Sequence, residues 1–340
     1  AVRPELKKQI EELYRKHPEE ARDSFGEDPF EVKNILKYWV FSEKPEFHVI
    51  PTDTINIHID KDALLRSGIM LPKTIRHLKG EDLKDAIPDK LYIPLTDIRM
   101  LTKVDLLMLE MLANCNWERP LYLAISVGSV SKLKFDNYFV QEGLAFRFTP
   151  FDYKKWGDVG ENRLYAVDVE RLYDNVMNRY KYGGLDTPGL YLDETTLRTC
   201  WYHRRLFAQL AKELIAQGDN ERAKKVLAYA EQVIPGYNVP ETHESGSYDI
   251  ATAYAALGEK TKAVTLAVHL IAEAEDYINW AFSLKGNRIE MVRNDCIYKF
   301  WQWNQYNELL KKIDGEKYKE SNRRFEEKYA LFAPTMNYKN

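Results

Sequence analysis

The side chains that could do chemistry are scattered rather than assembled. The seven histidines, His17, His48, His58, His77, His203, His243 and His269, form no H-x-H, H-x-x-x-H or H-E-x-x-H pattern. A zinc site therefore has no local nucleus. His243-Glu244 is an isolated dipeptide in a polar stretch. Cys115, Cys200 and Cys296 are odd in number, far apart and without a C-x-x-C pair, which predicts three buried thiols rather than a disulfide framework or thiolate site. Gly128-Ser129 follows an apolar run, but neither G-x-x-x-x-G-K nor G-x-G-x-x-G occurs, and no G-x-S-x-G elbow is present. Glu118 and Glu142 flank an apolar run and are the best candidates for a glycosidase carboxylate pair. For each, a helix cap or salt-bridge partner is the more ordinary role. The sequence thus predicts no catalytic residue, no metal ligand and no cofactor.

One polar segment stands apart. Asn116-Trp117-Glu118-Arg119-Pro120 lies between a helical stretch and an apolar run. Trp117, Glu118 and Arg119 are candidate ligand-facing residues. The alternative is a loop lock, with Trp117 as anchor and Glu118 and Arg119 paired with each other or with the second half. Aromatics make up 13% of the chain, with 22 Tyr and 7 Trp. Exposed rings could stack on a glycan or a peptide, but helical packing uses most such rings as core.

The elements behind these residues show a repeat. Phe207, Leu210, Ala211, Leu214, Ala223, Leu227, Ala230 and Pro235 fit the spacing of a tetratricopeptide (TPR) helical hairpin. Ile250, Ala251, Tyr254, Ala263, Ala267 and Leu270 fall at matching offsets, and Gly218 and Gly258 share one turn position. The period, 258 − 218 = 40 residues, exceeds the usual ~34. The excess sits in the linker that begins Pro235-Gly236-Tyr237-Asn238-Val239-Pro240. Such hairpins cannot bury their apolar faces alone and stack into a concave surface. The groove is expected near Arg205, Tyr248 and Tyr254.

The first half reads differently. Leu6 to Arg15 and Pro29 to Trp39 are predicted helices, with Pro29 in the first turn of the second. Ile55, Ile57 and Ile59 alternate with Asn56 and His58 in a half-buried strand, after which Asp60 caps a short helix. Leu91–Leu95 is a strand, Lys103–Cys115 a helix capped by Thr102, and Leu121–Ile125 a strand buried on both faces. That order suggests a right-handed crossover within one small mixed sheet. Leu144–Phe148 adds a strand, and Val167–Tyr180 a helix stopped by Gly183-Gly184. From Thr195 onward the pattern is helical. Trp301, Trp303 and Tyr306 should dock a third layer, and Lys311–Lys328 should be a solvated face. The expected fold is α+β: a mixed α/β domain over 1–185, then an all-α TPR-like domain over 186–340.

Composition narrows the partners. A chain of 340 residues suits two domains. With 49 basic against 52 acidic residues, phosphate neutralisation is no driving force, so nucleic acid is not an expected partner. No apolar run reaches the length of a membrane span. The chain begins at Ala1 without a signal peptide, as expected of a processed or excised piece.

Four segments carry a family resemblance: Asn114–Ala124, Asp136–Arg147, Leu172–Asn178 and Tyr191–Thr195. In this order, ahead of TPR-like hairpins, they resemble the C-terminal soluble region of a Bacteroidetes family of large multipass membrane proteins of formerly unknown function. That family is grouped with GT-C-type glycosyltransferases as family 117. The resemblance covers residues 45 to 310 or so. It implies an N-terminal bundle of membrane helices outside this sequence and a periplasmic location. It places the catalytic acid in a loop between early membrane helices, so no catalytic residue carries over. Cys115 departs from the polar residue, often Asn, expected there. The functional expectation is a non-catalytic interaction domain that holds a protein or peptide in the hairpin groove. The alternatives are a soluble glycan-active enzyme or a carbohydrate-binding module.

Overall fold

The computed structural model describes residues 1–127, 133, 135–160, 165–284 and 288–336. It divides into two compact units, Ala1–Asp168 and Val169–Asn340.

The first unit is mixed. Helices α1 (Leu6–Lys16), α2 (Pro18–Phe25) and α3 (Val32–Ile35) come first, and α3 runs into a π-helical turn, Leu36–Val40. Pro29 precedes the helix rather than opening it. Glu31 is extended and bridges Asn56, so helical geometry begins only at Val32. The same bridge explains why Asn56 is buried although it lies on the polar side of the predicted alternation. Strand β1 (Thr54–His58) pairs antiparallel with β2 (Lys90–Pro94), matching Ile55 to Ile93 and Ile57 to Leu91. Between them lie α4 (Lys61–Arg66) and α5 (Gly80–Ala86). Asp60 caps α4 by accepting the Ala63 N–H at 2.9 Å. Helix α6 (Lys103–Asn114) opens with a capping box, in which Thr102 and Asp105 satisfy each other's backbone N–H.

The strands β3 (Tyr122–Ala124), β4 (Phe139–Gln141), β5 (Ala145–Phe148) and β6 (Ala166–Val167) form a second sheet in the order β3-β5-β4-β6. Two expectations are corrected here. Strands β2 and β3 sit in different sheets, so the strand–helix–strand order is no crossover within one sheet. Nor is β3 buried on both faces: it is an edge strand with Tyr122 48% exposed. Its apolar run lines a surface groove with Val104, Met108 and Met111 of α6 instead of a core. The reading of Gly128-Ser129 falls outside the described residues.

Among its described residues the second unit has helices and connecting loops and no strand. Helix α7 (Val169–Asp174) passes into a π-helical turn, Asn175–Arg179. Segment 169–185, which the sequence groups with the first half, packs with the second unit, where Glu170 holds Arg222 and the Leu185 carbonyl holds Asn238. Then α8 (Glu194–Ala216) pairs with α9 (Asn220–Val233), and α10 (Ser247–Ala256) with α11 (Lys260–Ser283). The two turn glycines adopt the same left-handed conformation, φ +81° at Gly218 and +78° at Gly258, which a residue with a Cβ resists. Phe207, Leu210, Ala211 and Leu214 meet Ala223, Val226 and Leu227 in the first seam, all within 1% of complete burial. At 25 cal/mol per Å² of apolar surface, each large side chain there contributes roughly 1.5–3 kcal/mol.

A short helix α12 (Arg288–Met291) precedes α13 (Arg293–Ile313) and α14 (Gly315–Met336). Trp303 and Tyr306 are fully buried in this layer, but Trp301 is 49% exposed. Two residues of separation turn Trp301 through roughly 200° about the helix, away from the seam. No described helix is long and apolar enough to cross a membrane.

Candidate functional site

The second unit holds a groove of about 390 Å³. Its floor is aliphatic: Leu227, Ala230 and Ile234 from the end of α9, Ile250 from α10 and Leu266 from α11. Its rim is polar, with Glu231, Glu241, Thr261, Lys262, Thr265 and His269. Three helices, α9, α10 and α11, meet the 235–246 linker here.

Arg204 fixes that linker. It is 3% exposed, and its Nη1 donates to the Pro240 carbonyl at 2.8 Å and to Ser245 Oγ at 3.1 Å. Its Nη2 donates to the carbonyls of Ile234 at 3.0 Å and Val239 at 2.5 Å. Burial pulls its pKa down to about 10, against the opposing pull of Glu241. The linker is also held from its far side. Asn238 Nδ2 donates to the carbonyls of Leu185 and Thr187, and Tyr237 OH to that of Asp186. Gly246 closes the loop with φ +85°, where a Cβ would come within 2.9 Å of Arg205 Cγ.

Within the groove, Glu231 is fully engaged. It accepts from Tyr254 OH at 2.5 Å and from Lys262 Nζ at 2.9 and 3.0 Å. Lys262 also sits 5.0 Å from the Tyr254 ring centroid. Burial, and then the hydrogen bond to Glu231 and its charge, raise the Tyr254 hydroxyl well above the usual phenol range, so it stays protonated and donating.

Of the three residues expected at the groove, Tyr254 lines it. Arg205 lies on the outer side of the linker and donates to the Glu244 carbonyl. Tyr248 is stacked on His243 at 5.8 Å, in a ring cluster with Tyr298, Trp301 and Tyr306. His243 Nδ1 is 2.9 Å from Tyr306 OH. The residues missed are Arg204, Glu231, Glu241 and Lys262. An arginine inside a helix reads as solvated surface, and nothing local distinguishes Arg204 from Arg205. Glu231, by contrast, was findable: it follows Leu227 by one turn, on the face that also carries Ala230 and Ile234.

The first unit's candidates sit elsewhere. Trp117 is 6% exposed, donates its indole N–H to the His58 carbonyl at 2.7 Å and lies against Phe148. Asn116 and Trp117 both have positive φ, +48° and +60°. Left-handed backbone at two successive residues with side chains is costly and persists only where the surroundings impose it. The space beside Trp117, Arg119 and Arg147 amounts to about 10 Å³. Glu118 is exposed and comes within 3.9 Å of Arg66 rather than pairing with Arg119. Glu142 is buried 3.6 Å from Arg147 and accepts from Tyr122 OH at 2.7 Å. Cys200 and Cys296 are buried and Cys115 is half-buried; all three thiols are free, and burial raises the pKa of each. Among the described residues, no three His, Cys, Asp or Glu side chains are grouped to hold a metal.

Comparison with known proteins adds one match. The family model described as TMEM260-associated domain 2 matches residues 5–170, nearly the whole first unit. No curated protein and no solved structure matches. The first unit is thus similar to TMEM260-associated domain 2, a similarity that fits a TMEM260-like family member.

Proposed function

We propose that this chain is a non-catalytic, extramembrane interaction segment of a TMEM260-like membrane protein. Its second unit is a TPR-like stack that grips an extended stretch of a protein partner. The observation carrying this reading is the groove of about 390 Å³, aliphatic at its floor and polar at its rim. That size and lining suit a few side chains of a bound segment. The aligned turn glycines support descent of both hairpins from one repeat. The resemblance of residues 114–124 and 136–147 to family 117 supports a glycosyltransferase-like parent of the Bacteroidetes type, with this segment on its periplasmic face. On this reading the parent's chemistry belongs to its membrane helices, and this segment docks an acceptor or partner.

The test is a peptide selected from a random library on the full chain. Thr265 stands at the groove mouth, so Thr265→Trp fills it without disturbing the core. Binding should weaken by about tenfold or more, as expected when an apolar anchor is excluded. Glu118→Ala should leave it unchanged. Unchanged binding in Thr265→Trp, or loss in Glu118→Ala, would overturn the proposal.

A further inference from the structure

The groove carries two carboxylates in different circumstances. Glu231 is already met by Tyr254 and by two contacts from the Lys262 ammonium. Glu241 reaches the rim from the linker. Its side chain lies across Gly236, where an added Cβ would come within 3.2 Å of Glu241 Cδ. Among the described residues, none donates a hydrogen bond to Glu241 or meets it in an ion pair. Arg204 feels its charge, but both Nη atoms of that arginine are held by linker acceptors. A half-buried carboxylate at the edge of an aliphatic trough is a ready partner for an incoming cation.

We propose that the groove accepts a lysine or arginine side chain of the partner, with its hydrocarbon stem along Leu227, Ile250 and Leu266 and its charged head on Glu241. This rests on the groove reading above and adds the partner's chemistry to it. Long basic side chains suit such a site because stem and head bind different surfaces. An acidic segment would set its carboxylate against Glu241, beside a Lys262 whose charge is already partly balanced by Glu231.

The experiment uses three probes, acetyl-Leu-X-Leu-amide with X as Lys, Gln or Glu, titrated into the methyl-labelled full chain. The readout is the shift of the Leu227, Ile250 and Leu266 methyl signals. The Lys probe should bind about fivefold tighter than the Gln probe, and the Glu probe should be weakest. In Glu241→Gln, Lys and Gln probes should bind alike. Tightest binding by the Glu probe, or a Lys preference that survives Glu241→Gln, would overturn the proposal. Equal binding of all three would also overturn it while leaving the groove reading intact. If no probe moves any groove methyl, the groove reading itself fails.

Discussion

Each unit contains a polar loop locked by one buried side chain, and the space beside the lock differs widely between the two. In the first unit, Trp117 anchors residues 115–120 through the His58 carbonyl, and about 10 Å³ remains beside it. That is room for at most a single water. In the second, Arg204 anchors residues 234–245 through four acceptors, and about 390 Å³ opens alongside. The local chemistry is alike, and the difference lies in what stands behind each loop. The Trp117 loop folds onto the aromatic core around Phe148, which closes over it. The Arg204 linker joins α9 to α10, and the open space lies between it and the aliphatic faces of α9, α10 and α11.

The comparison breaks most visibly at the two anchors. Arg204→Met removes the donor to three carbonyls and a hydroxyl, each costing about 1–3 kcal/mol when left unpaired. After partial relaxation, the second unit should lose about 3 kcal/mol or more, read by hydrogen exchange of peptides from 200–256. Trp117→Phe orphans a single carbonyl and should cost the first unit about 1–3 kcal/mol, with exchange in the second unit unchanged. Equal losses would show that the two locks are equivalent after all.

Acid should separate the units next. Burial holds His203 and His243 below the ordinary imidazole value of 6.5. Above 6.5 both states are neutral and nothing is gained or lost. Below it the unfolded chain takes up protons first, so these residues weaken the second unit as pH falls from about 6.5. Asp28 in the first unit behaves in the opposite manner. Burial raises its pKa, but the hydrogen bonds from Lys90 and the Phe30 N–H outweigh that and leave it below 3.8. Its contribution is therefore intact above 3.8 and lost only as pH falls further, through the folded value. Between pH 6 and pH 4 or so, hydrogen exchange corrected for intrinsic rates should accelerate in the second unit first. Simultaneous loosening would contradict this assignment.

The smallest effect tests an exposed pair. Arg222 makes a two-pronged contact with Glu170 at 2.7 and 2.8 Å, but Glu170 is largely solvated. Arg222→Ala should cost only about 0.5–1 kcal/mol and less at high salt. A larger loss in thermal unfolding would mean that segment 169–185 matters more to the second unit than its exposure indicates.

Much of this architecture is legible in residue spacing. The isoleucine alternation gives β1, Thr102 and Asp60 mark helix starts, and Gly218 and Gly258 mark equivalent turns. What escapes is long-range. The strand run at Leu121–Ile125 looks like core because apolar composition does not distinguish an edge strand lining a groove from a central one. Strands β4 and β6 are three and two residues long, too short for a period to register. In the groove, Tyr254 is legible from its spacing to Ile250 and Ala251. Arg204 and Glu241 are not, because one holds the linker and the other belongs to it, and no local pattern encodes the linker's path.

The most direct test of the account follows ile/leu methyl signals in both units while a library-selected peptide is titrated into the full chain. The account predicts shifts at Leu227, Ile234, Ile250 and Leu266, with Ile57, Leu64 and Ile69 near the Trp117 loop unmoved. Shifts centred on Ile57, Leu64 and Ile69, with the groove methyls silent, would contradict it.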